Sequence, residues 1–275
     1  MENYKLSTGN VDEIRLDTLN SIYNPYSQRF IEKHLFNYHV PTSLLDIGCG
    51  HGHMTCYFAK QLVDVGRVTG QDNSESQILI ATNRAKVQNL RNTAFEIGDI
   101  SKPSSSVVKF PCTYSRFLLM HLSNKLEAIS NTANLLDKDG ISIFEEPCLS
   151  SQFCHPYFPE FYRANELTIQ LGKASRLSYD SAVSLLEDIS KFYYIDAIEI
   201  SQPILDTSIK KQIILDSFLQ IAPALINSRL TDDFEVKEIT SKLSEFVLAD
   251  SSFSGGLRVF HIKARLKNYR GLVGS

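Results

Sequence analysis

The run Leu44-Leu45-Asp46-Ile47-Gly48-Cys49-Gly50-His51-Gly52-His53 constrains the fold more than any other stretch of the chain. Leu44 to Ile47 reads as a buried strand, and a helix is expected from about His53. Between them, glycine stands at every second position. Such a turn lets the backbone adopt φ > 0 and removes the Cβ atoms that would hold a ligand away. It opens onto a helix N-terminus, where unpaired N–H groups and the helix dipole favour a carboxylate or phosphate. The stretch therefore predicts a nucleotide-type pocket at the end of a strand. Its spacing is G-x-G-x-G, whereas the dinucleotide fingerprint is G-x-G-x-x-G.

Downstream, strands and helices alternate. Strand one, 43–47, is followed by a helix over 53 to about 64. Strand two, Arg67 to Gln71, ends at Asp72, and Ser74 is an N-cap for a helix reaching Gln88. Strand three is Thr93 to Ile97, closed by Gly98-Asp99, and the Pro103-Ser104-Ser105-Ser106 cluster is a loop. Strand four is about Cys112 to Phe117, with a helix over Asn124 to Leu136. Strand five is Ile141 to Glu145, after an Asp139-Gly140 turn and before Pro147. Helices of this length between strands imply right-handed βαβ units and a parallel sheet covered on both faces. In such sheets ligands lie beyond the carboxyl ends of the strands.

Two additions flank this core. Residues 1–40 read as two helices, one ending at Asn24-Pro25 and carrying Val11, Ile14, Leu19 and Ile22 near helical spacing. The other, Ser27 to Tyr38, has Phe30, Ile31, Leu35 and Tyr38 on one stripe. They either cover the glycine turn as a lid or pack on the sheet edge. Residues 148–191, with helices over Phe158 to Leu171 and Tyr179 to Asp188, are an insertion after strand five. Tyr194 to Ser201 alternates like a strand, helices follow over Ser208 to Asn227 and Thr231 to Leu248, and Leu257 to Arg265 is the last strand. That strand suits an antiparallel edge. The tail from Lys267 is expected to fray. The reading is one domain over 1–275, comprising a cap (1–40), a core (41–147), the insertion (148–191) and the remaining strands and helices (192–266).

Composition narrows the partners. A net charge of -3 over 275 residues leaves no electrostatic footprint for nucleic acid or an anionic membrane. The five cysteines form no CxxC pair and read as reduced thiols of a cytoplasmic protein. Cys148, Cys154 and His155 lack a second Cys/His pair to complete a tetrahedral site, so no metal is expected. Met1 to Lys5 is polar with no apolar run behind it, so no signal peptide is expected. No segment approaches the ~20 apolar residues of a membrane span; Ile213 to Ile226 is broken by Asp216, Gln220 and Pro223.

Asp46-x-Gly48-x-Gly50-x-Gly52, Asp72 after strand two and Gly98-Asp99 after strand three stand in one order. Together they resemble the class I S-adenosylmethionine (SAM)-dependent methyltransferases. Leu44 to Gly50 is similar to that family's first motif. Leu118-Leu119-Met120-His121-Leu122 and Leu135-Leu136-Asp137-Lys138-Asp139-Gly140 match it as well. The likeness is strong over about residues 40–146. More loosely, the whole chain looks like the small-molecule branch related to quinone-biosynthesis methyltransferases. The resemblance implies an α/β, Rossmann-like, doubly wound, mostly parallel seven-stranded sheet with an antiparallel last strand, an N-terminal helical cap and a helical insertion after strand five. Two positions depart from the family pattern. Pro111 stands where strand four often begins with an acid, and Asn73 stands where an apolar residue usually flanks adenine.

The resemblance also implies the site. Gly48, Gly50 and Gly52 would present backbone amides to the methionyl carboxylate of SAM, and Asp46 would attract its ammonium. Asp72 would accept from both ribose hydroxyls, with Asn73 beside it. Asp99 would accept from the adenine amino group, and the Ile100 amide would serve a ring nitrogen. Hydride-transferring Rossmann enzymes lack an acid in Asp99's role. Arg116, at the end of strand four, is grouped with the cofactor site; anchoring of neighbouring carboxylates and a substrate contact are its other readings.

Methyl transfer from a sulfonium is an in-line displacement, needing a base only where the nucleophile must lose a proton. His121, Glu145, Glu146 and His155 are the candidates. Glu145 and Glu146 point to opposite faces of their strand, so at most one faces the pocket, and Glu145 is favoured. Tyr23, Tyr26, Tyr157 and Tyr162, with Phe158 and Phe161, could line an apolar pocket for a small or medium-sized organic acceptor. The expected activity is methylation of such an acceptor, leaving S-adenosylhomocysteine (SAH). The alternative is a catalytically inactive SAM-binding sensor or partner-binding protein on the same fold.

Overall fold

A computed structural model of the chain describes residues 13–38, 40–103, 108–180 and 182–267. Val11 and Asp12, the serines of the 103–106 loop and the tail from 268 lie outside them. In chain order the helices are α1 (Glu13–Ile31), α2 (His53–Gln61), α3 (Glu75–Val87), α4 (Lys125–Asn134), α5 (Pro159–Ala174), α6 (Ala182–Phe192), α7 (Ser208–Asn227) and α8 (Asp233–Leu248). The first five strands are β1 (Ser43–Ile47), β2 (Arg67–Asp72), β3 (Thr93–Ile97), β4 (Phe110–Arg116) and β5 (Leu136–Cys148). The rest are β6 (Phe153–His155), β7 (Tyr193–Ser201), β8 (Ile204–Leu205), β9 (Phe253–Gly255) and β10 (Arg258–Leu266).

Among the described residues seven strands form the main sheet, in the order β3-β2-β1-β4-β5-β10-β7. β1 lies at its centre, pairing in parallel with β2 and β4. Successive side chains of a strand point to opposite faces, which explains the adjacent leucines of β1. Leu44 packs with Phe30, Leu35, Phe58 and Tyr114 on one face. Leu45 packs with Ala128, Ile129, Leu185 and Ile189 on the other. A third core joins α1, α5, α7 and α8 through Ile22, Tyr23, Phe161, Phe218 and Phe246. The expected α/β, mostly parallel seven-stranded sheet is therefore observed, with helices on both faces.

Several details differ from expectation. The N-terminal segment is one helix running through Pro25, followed by a π-helical turn over Glu32–Phe36. Pro25 and Ser21, whose carbonyl loses its intrahelical donor, are both exposed residues, so the proline falls on the solvent side of the helix, where a missing hydrogen bond costs least. Ile22, Phe30 and Ile31 hold the buried side at no more than 5% exposure. Ile14 and Tyr38, each 80% exposed, are not part of that stripe. β4 begins at Phe110, and a register shift between Phe110 and Cys112 absorbs Pro111. β5 starts at Leu136, with Asp139 at φ +62°, and continues through Pro147.

The last strand, β10, is antiparallel as expected but is not an edge. It lies between β5 and β7, because Val259, Ile262 and Ala264 are at most 1% exposed and need cover on both sides. β7 takes the edge. A second, three-stranded sheet of order β6-β9-β8 was not expected; its strands have two or three residues, too short for an alternation to be visible.

Candidate active site

The three glycines of the turn after β1 have φ of +71°, +53° and +73°, the left-handed region that favours glycine. Their reasons differ. A Cβ on Gly48 would lie 2.9 Å from Leu118 Cδ1, and one on Gly52 would lie 2.9 Å from Ala81 Cβ. A Cβ on Gly50 would meet nothing within 4 Å. Gly48 and Gly50 both border the cavity, but packing fills the Cβ position at Gly48 and Gly52 and leaves it open at Gly50.

The turn is also sewn to β2, which corrects the expectation that its glycine amides are presented to a ligand. Gly48 N donates to Gln71 O at 2.8 Å, and Gly52 N donates to Cys49 O at 2.9 Å. Gly50 N donates to Asp72 Oδ2 at 2.9 Å. An anion at this turn would draw instead on the first-turn amides of α2, which have no acceptor within a helix.

Three carboxylates border the cavity at the strand ends. Asp72 accepts from Gly50 N and, through Oδ1, from Ser74 N at 3.0 Å. The Asn73 amide acts on the carboxylate as well, and of its about four lone-pair sites part is left for a ligand hydroxyl. Burial raises the Asp72 pKa, against the pull of those amides. Asp46 is 2% exposed and accepts from Thr55 Oγ1 at 2.5 Å. Burial lifts its pKa to about 7, so a cation placed beside it would be strongly favoured. Asp99 accepts from Ser101 N and Oγ and pairs with Lys102 at 3.4 Å. Burial opposes its ionisation, but these partners outweigh burial and lower its pKa. Ile100 is buried, Asn131 Nδ2 donates to its carbonyl at 2.9 Å, and it borders the cavity beside Leu118. Asn73 borders the cavity from an exposed position. A hydroxyl acceptor, a buried acid ready for a cation and an open glycine fit an amino-acid-bearing nucleoside.

Arg116 ties β4 to the cap. Its Nη1 donates to Ser27 Oγ at 3.0 Å and its Nη2 to Asn20 Oδ1 at 2.6 Å. It borders the cavity; these hydrogen bonds go to neutral groups of α1, while its charge acts on the Glu145 and Asp46 carboxylates.

Glu145 is not in the cavity. It is fully buried, accepting from Ser27 Oγ at 2.5 Å, Tyr114 Oη at 2.7 Å and His261 Nδ1 at 2.8 Å. Burial opposes its charge, yet the His261 contact, Arg116 and Ser27 outweigh burial and keep its pKa below the ordinary glutamate value. Held by three hydrogen bonds and outside the cavity lining, it is a structural hub and is withdrawn as a candidate base. Glu146 also lies outside the cavity lining. It accepts from the amides of Leu118, Leu119 and Met120, and burial raises its pKa to about 7.

The cavity has a volume of about 610 Å³, within the usual range for small-molecule sites. Its other walls come from α1, α5 and α7, so the cap and the insertion both roof the glycine turn. Asp17 fastens α1 there, contacting His53 Nε2 at 2.7 Å and Arg84 Nη2 at 2.9 Å. Tyr23 borders the cavity as expected, its ring edge-on to Phe117 and its hydroxyl accepting from Leu257 N at 2.8 Å. His121 borders it too, edge-on to Tyr179. Burial first and the Arg15 charge second lower its pKa to about 3, leaving the imidazole neutral.

Tyr26, Tyr157, Tyr162 and His155 do not border the cavity. Tyr157 is 72% exposed and stacks on Tyr162, while His155 packs against Phe253. Their aromatic clustering in sequence serves the α5 surface. Missed from sequence were Arg15, Asn20, Asn165 and the α7 residues Ile213, Ile214 and Phe218, all cavity residues. The helical periodicity of α7 marks its apolar face but not what that face meets.

The chain matches the model of a methyltransferase domain over residues 39–195. The chain belongs to the methyltransferase domain family. The resemblance read from the first motif to SAM-dependent methyltransferases is thereby borne out. The (S)-coclaurine N-methyltransferase of Thalictrum flavum subsp. glaucum is 31% identical over 121 residues, 42% of this chain and 32% of that protein. The ubiquinone biosynthesis O-methyltransferase of Coxiella burnetii (strain Dugway 5J108-111) is 33% identical over 125 residues, 45% of this chain and 50% of that protein. The matching stretch thus spans a third to a half of the length of these curated relatives. The solved structure of YcgJ from Bacillus subtilis shares the fold, with a TM-score of 0.55 at 17% identity, covering 83% of this chain and 93% of that one. In this methyltransferase domain α1 and α5 both border the cavity, whereas α6 does not.

Proposed function

We propose that this methyltransferase domain binds SAM against the strand ends of the cavity and methylates a small or medium-sized organic acceptor held against α1, α5 and α7. The observation that carries the reading is the pairing of Gly50 with Asp72. The glycine borders open space, and the carboxylate beside it lines the cavity at the end of β2, where it can accept from a ribose hydroxyl. Asp46 would sit near the ammonium, Asp99 and Ile100 near adenine, and Asn73 and Arg116 at the flanks. SAM, when bound, supplies a methyl group already activated by its sulfonium. The protein's own work is to orient the acceptor and exclude water, for which a roof of three helices is suited.

Of the four candidate bases, Glu145, Glu146 and His155 lie outside the cavity lining and His121 is weakly basic. That is compatible with an acceptor that arrives ready to react, and equally with a binding protein that does not turn over. Incubation of the purified protein with labelled SAM and a panel of methyl acceptors separates the two. Transfer to any acceptor supports the enzyme; SAM binding with no transfer across the panel supports the sensor. Asp72→Ala should weaken SAH binding by ~1.5–3 kcal/mol, and unchanged affinity would remove Asp72 from the site.

A further inference from the structure

Two polar side chains of the cavity wall stand apart from their surroundings. Asn165 on α5 and Ser217 on α7 both border the cavity, on helices that share one apolar core. Ser217 lies within a stripe of α7 formed by Ile213, Ile214, Phe218 and Ile221, which border the same cavity and are at most 9% exposed. A hydroxyl set in such a surface costs free energy unless it has a group to bond.

A helical hydroxyl commonly meets that need by donating to the carbonyl four residues back. Thr18, Thr82, Thr132 and Ser244 do so. Thr168, next to Asn165 in the wall, also does, donating to Ala164 O at 2.7 Å. Ser217 does not. Among the described residues, neither its hydroxyl nor the Asn165 carboxamide enters a hydrogen bond. Other polar side chains of α5 are engaged: Arg163 donates to Glu166 at 2.8 Å and to Glu235 at 2.7 Å, and Gln170 donates to Glu166 at 3.1 Å. The bonding capacity of Asn165 and Ser217 is therefore left for a molecule in the cavity.

From these two unengaged groups in an apolar wall we infer that Asn165 and Ser217 orient the acceptor, by holding a hydroxyl carried on an apolar body. The inference rests on the methyltransferase reading and deepens it by naming residues that select the acceptor. The carboxamide donates through Nδ2 and accepts at Oδ1, and the serine oxygen does both. A hydroxyl also gives and takes a hydrogen bond, so it matches the pair. A carboxylate only accepts and an ammonium only donates, leaving part of the pair unmatched. An acceptor without the hydroxyl would strand both groups against hydrocarbon, the situation in which a polar site discriminates most strongly. Neither group is a base, so the pair places the acceptor and takes no proton from it.

The test uses the full chain saturated with SAH and two probes of one shape, 2-naphthylmethanol and 2-ethylnaphthalene. The chain has no tryptophan, so the anisotropy of naphthalene fluorescence reads each dissociation constant directly. The deciding quantity is the ratio of the two constants, which a general loosening of the cavity would not move. Asn165→Leu and Ser217→Ala should each shift that ratio about fivefold or more toward the hydrocarbon, with SAH affinity within twofold of wild type. Thr168→Val removes a hydroxyl already spent on its own helix and should leave the ratio within twofold. Asn165→Ala takes the place of Asn165→Leu if that variant does not fold. A ratio unmoved at either residue, an equal shift in Thr168→Val, or no binding of either probe to SAH-loaded wild type overturns the inference. So does a parallel loss of SAH affinity in the variants, which would give the two residues to the cofactor. Failure of the wild type to bind SAH overturns the methyltransferase reading itself, and this inference with it.

Discussion

Replacing Gly50 and Gly52 singly with alanine separates ligand space from packing space. Both residues have positive φ, so each alanine carries the strain of a left-handed L-residue, about 1–2 kcal/mol. At Gly50 that strain is the whole stability cost, because the new methyl meets no protein atom within 4 Å. At Gly52 the methyl would lie 2.9 Å from Ala81 Cβ and 3.1 Å from Phe95, adding an overpacking cost of about 1–3 kcal/mol. Gly50→Ala should therefore unfold in urea about 1–2 kcal/mol below wild type, and Gly52→Ala about 2–5 kcal/mol below. Binding should rank the other way relative to stability. The Gly50 methyl projects into the cavity and should weaken SAH at least tenfold, measured by titration at a temperature where both variants are folded. Equal stability losses, or Gly50→Ala binding SAH like wild type, would refute the assignment of Gly50 as the residue that faces the ligand.

Two further substitutions test the buried acids. Asp46 has a pKa of about 7 in the folded chain, against roughly 3.9 when unfolded. Between those values the folded state holds more protons, so wild-type stability declines as pH rises from about 4 to 7. Asp46→Asn keeps an acceptor for Thr55 and should remove a share of that decline on the order of 2–4 kcal/mol, read from urea midpoints at pH 5 and pH 8; parallel profiles would contradict the account. Glu145 has the opposite sign. Its lowered pKa contributes stability present above the ordinary glutamate range and lost as pH falls through the folded value. Glu145→Gln should cost about 1.5–3 kcal/mol near neutrality and flatten the acid limb, while SAH affinity stays within a few-fold; a selective collapse of binding would return Glu145 to the site.

Much of the framework was legible in the sequence because its signals are local. Ser74 reads as an N-cap from its position alone, and its hydroxyl accepts from Gln77 N. The glycine spacing and Asp72 belong to one strand–turn unit and its neighbour, so their proximity follows from a single βαβ step. What sequence could not show depends on long-range competition for the same groups. Glu145 looked available for catalysis until Ser27 and His261, 118 and 116 residues away, were found to occupy it. The glycine amides looked free until the end of β2 claimed two of them. Pro25 carries the signal of a helix break, yet tertiary burial of Ile22, Phe30 and Ile31 overrode it. The aromatic residues around 157–162 carried no information about facing, and cavity walls came instead from α1 and α7, which no local pattern connects to the turn.

The central claim is that the cavity beside Gly50 and Asp72 takes an amino-acid-bearing nucleoside. Isothermal titration of SAH into the wild-type chain, with NAD as the comparison ligand, tests it most directly. The account predicts one-to-one binding of SAH with a dissociation constant in the micromolar range, about −8 kcal/mol, and no detectable heat with NAD. Saturable binding of NAD, or no binding of SAH at high micromolar concentration, would contradict it.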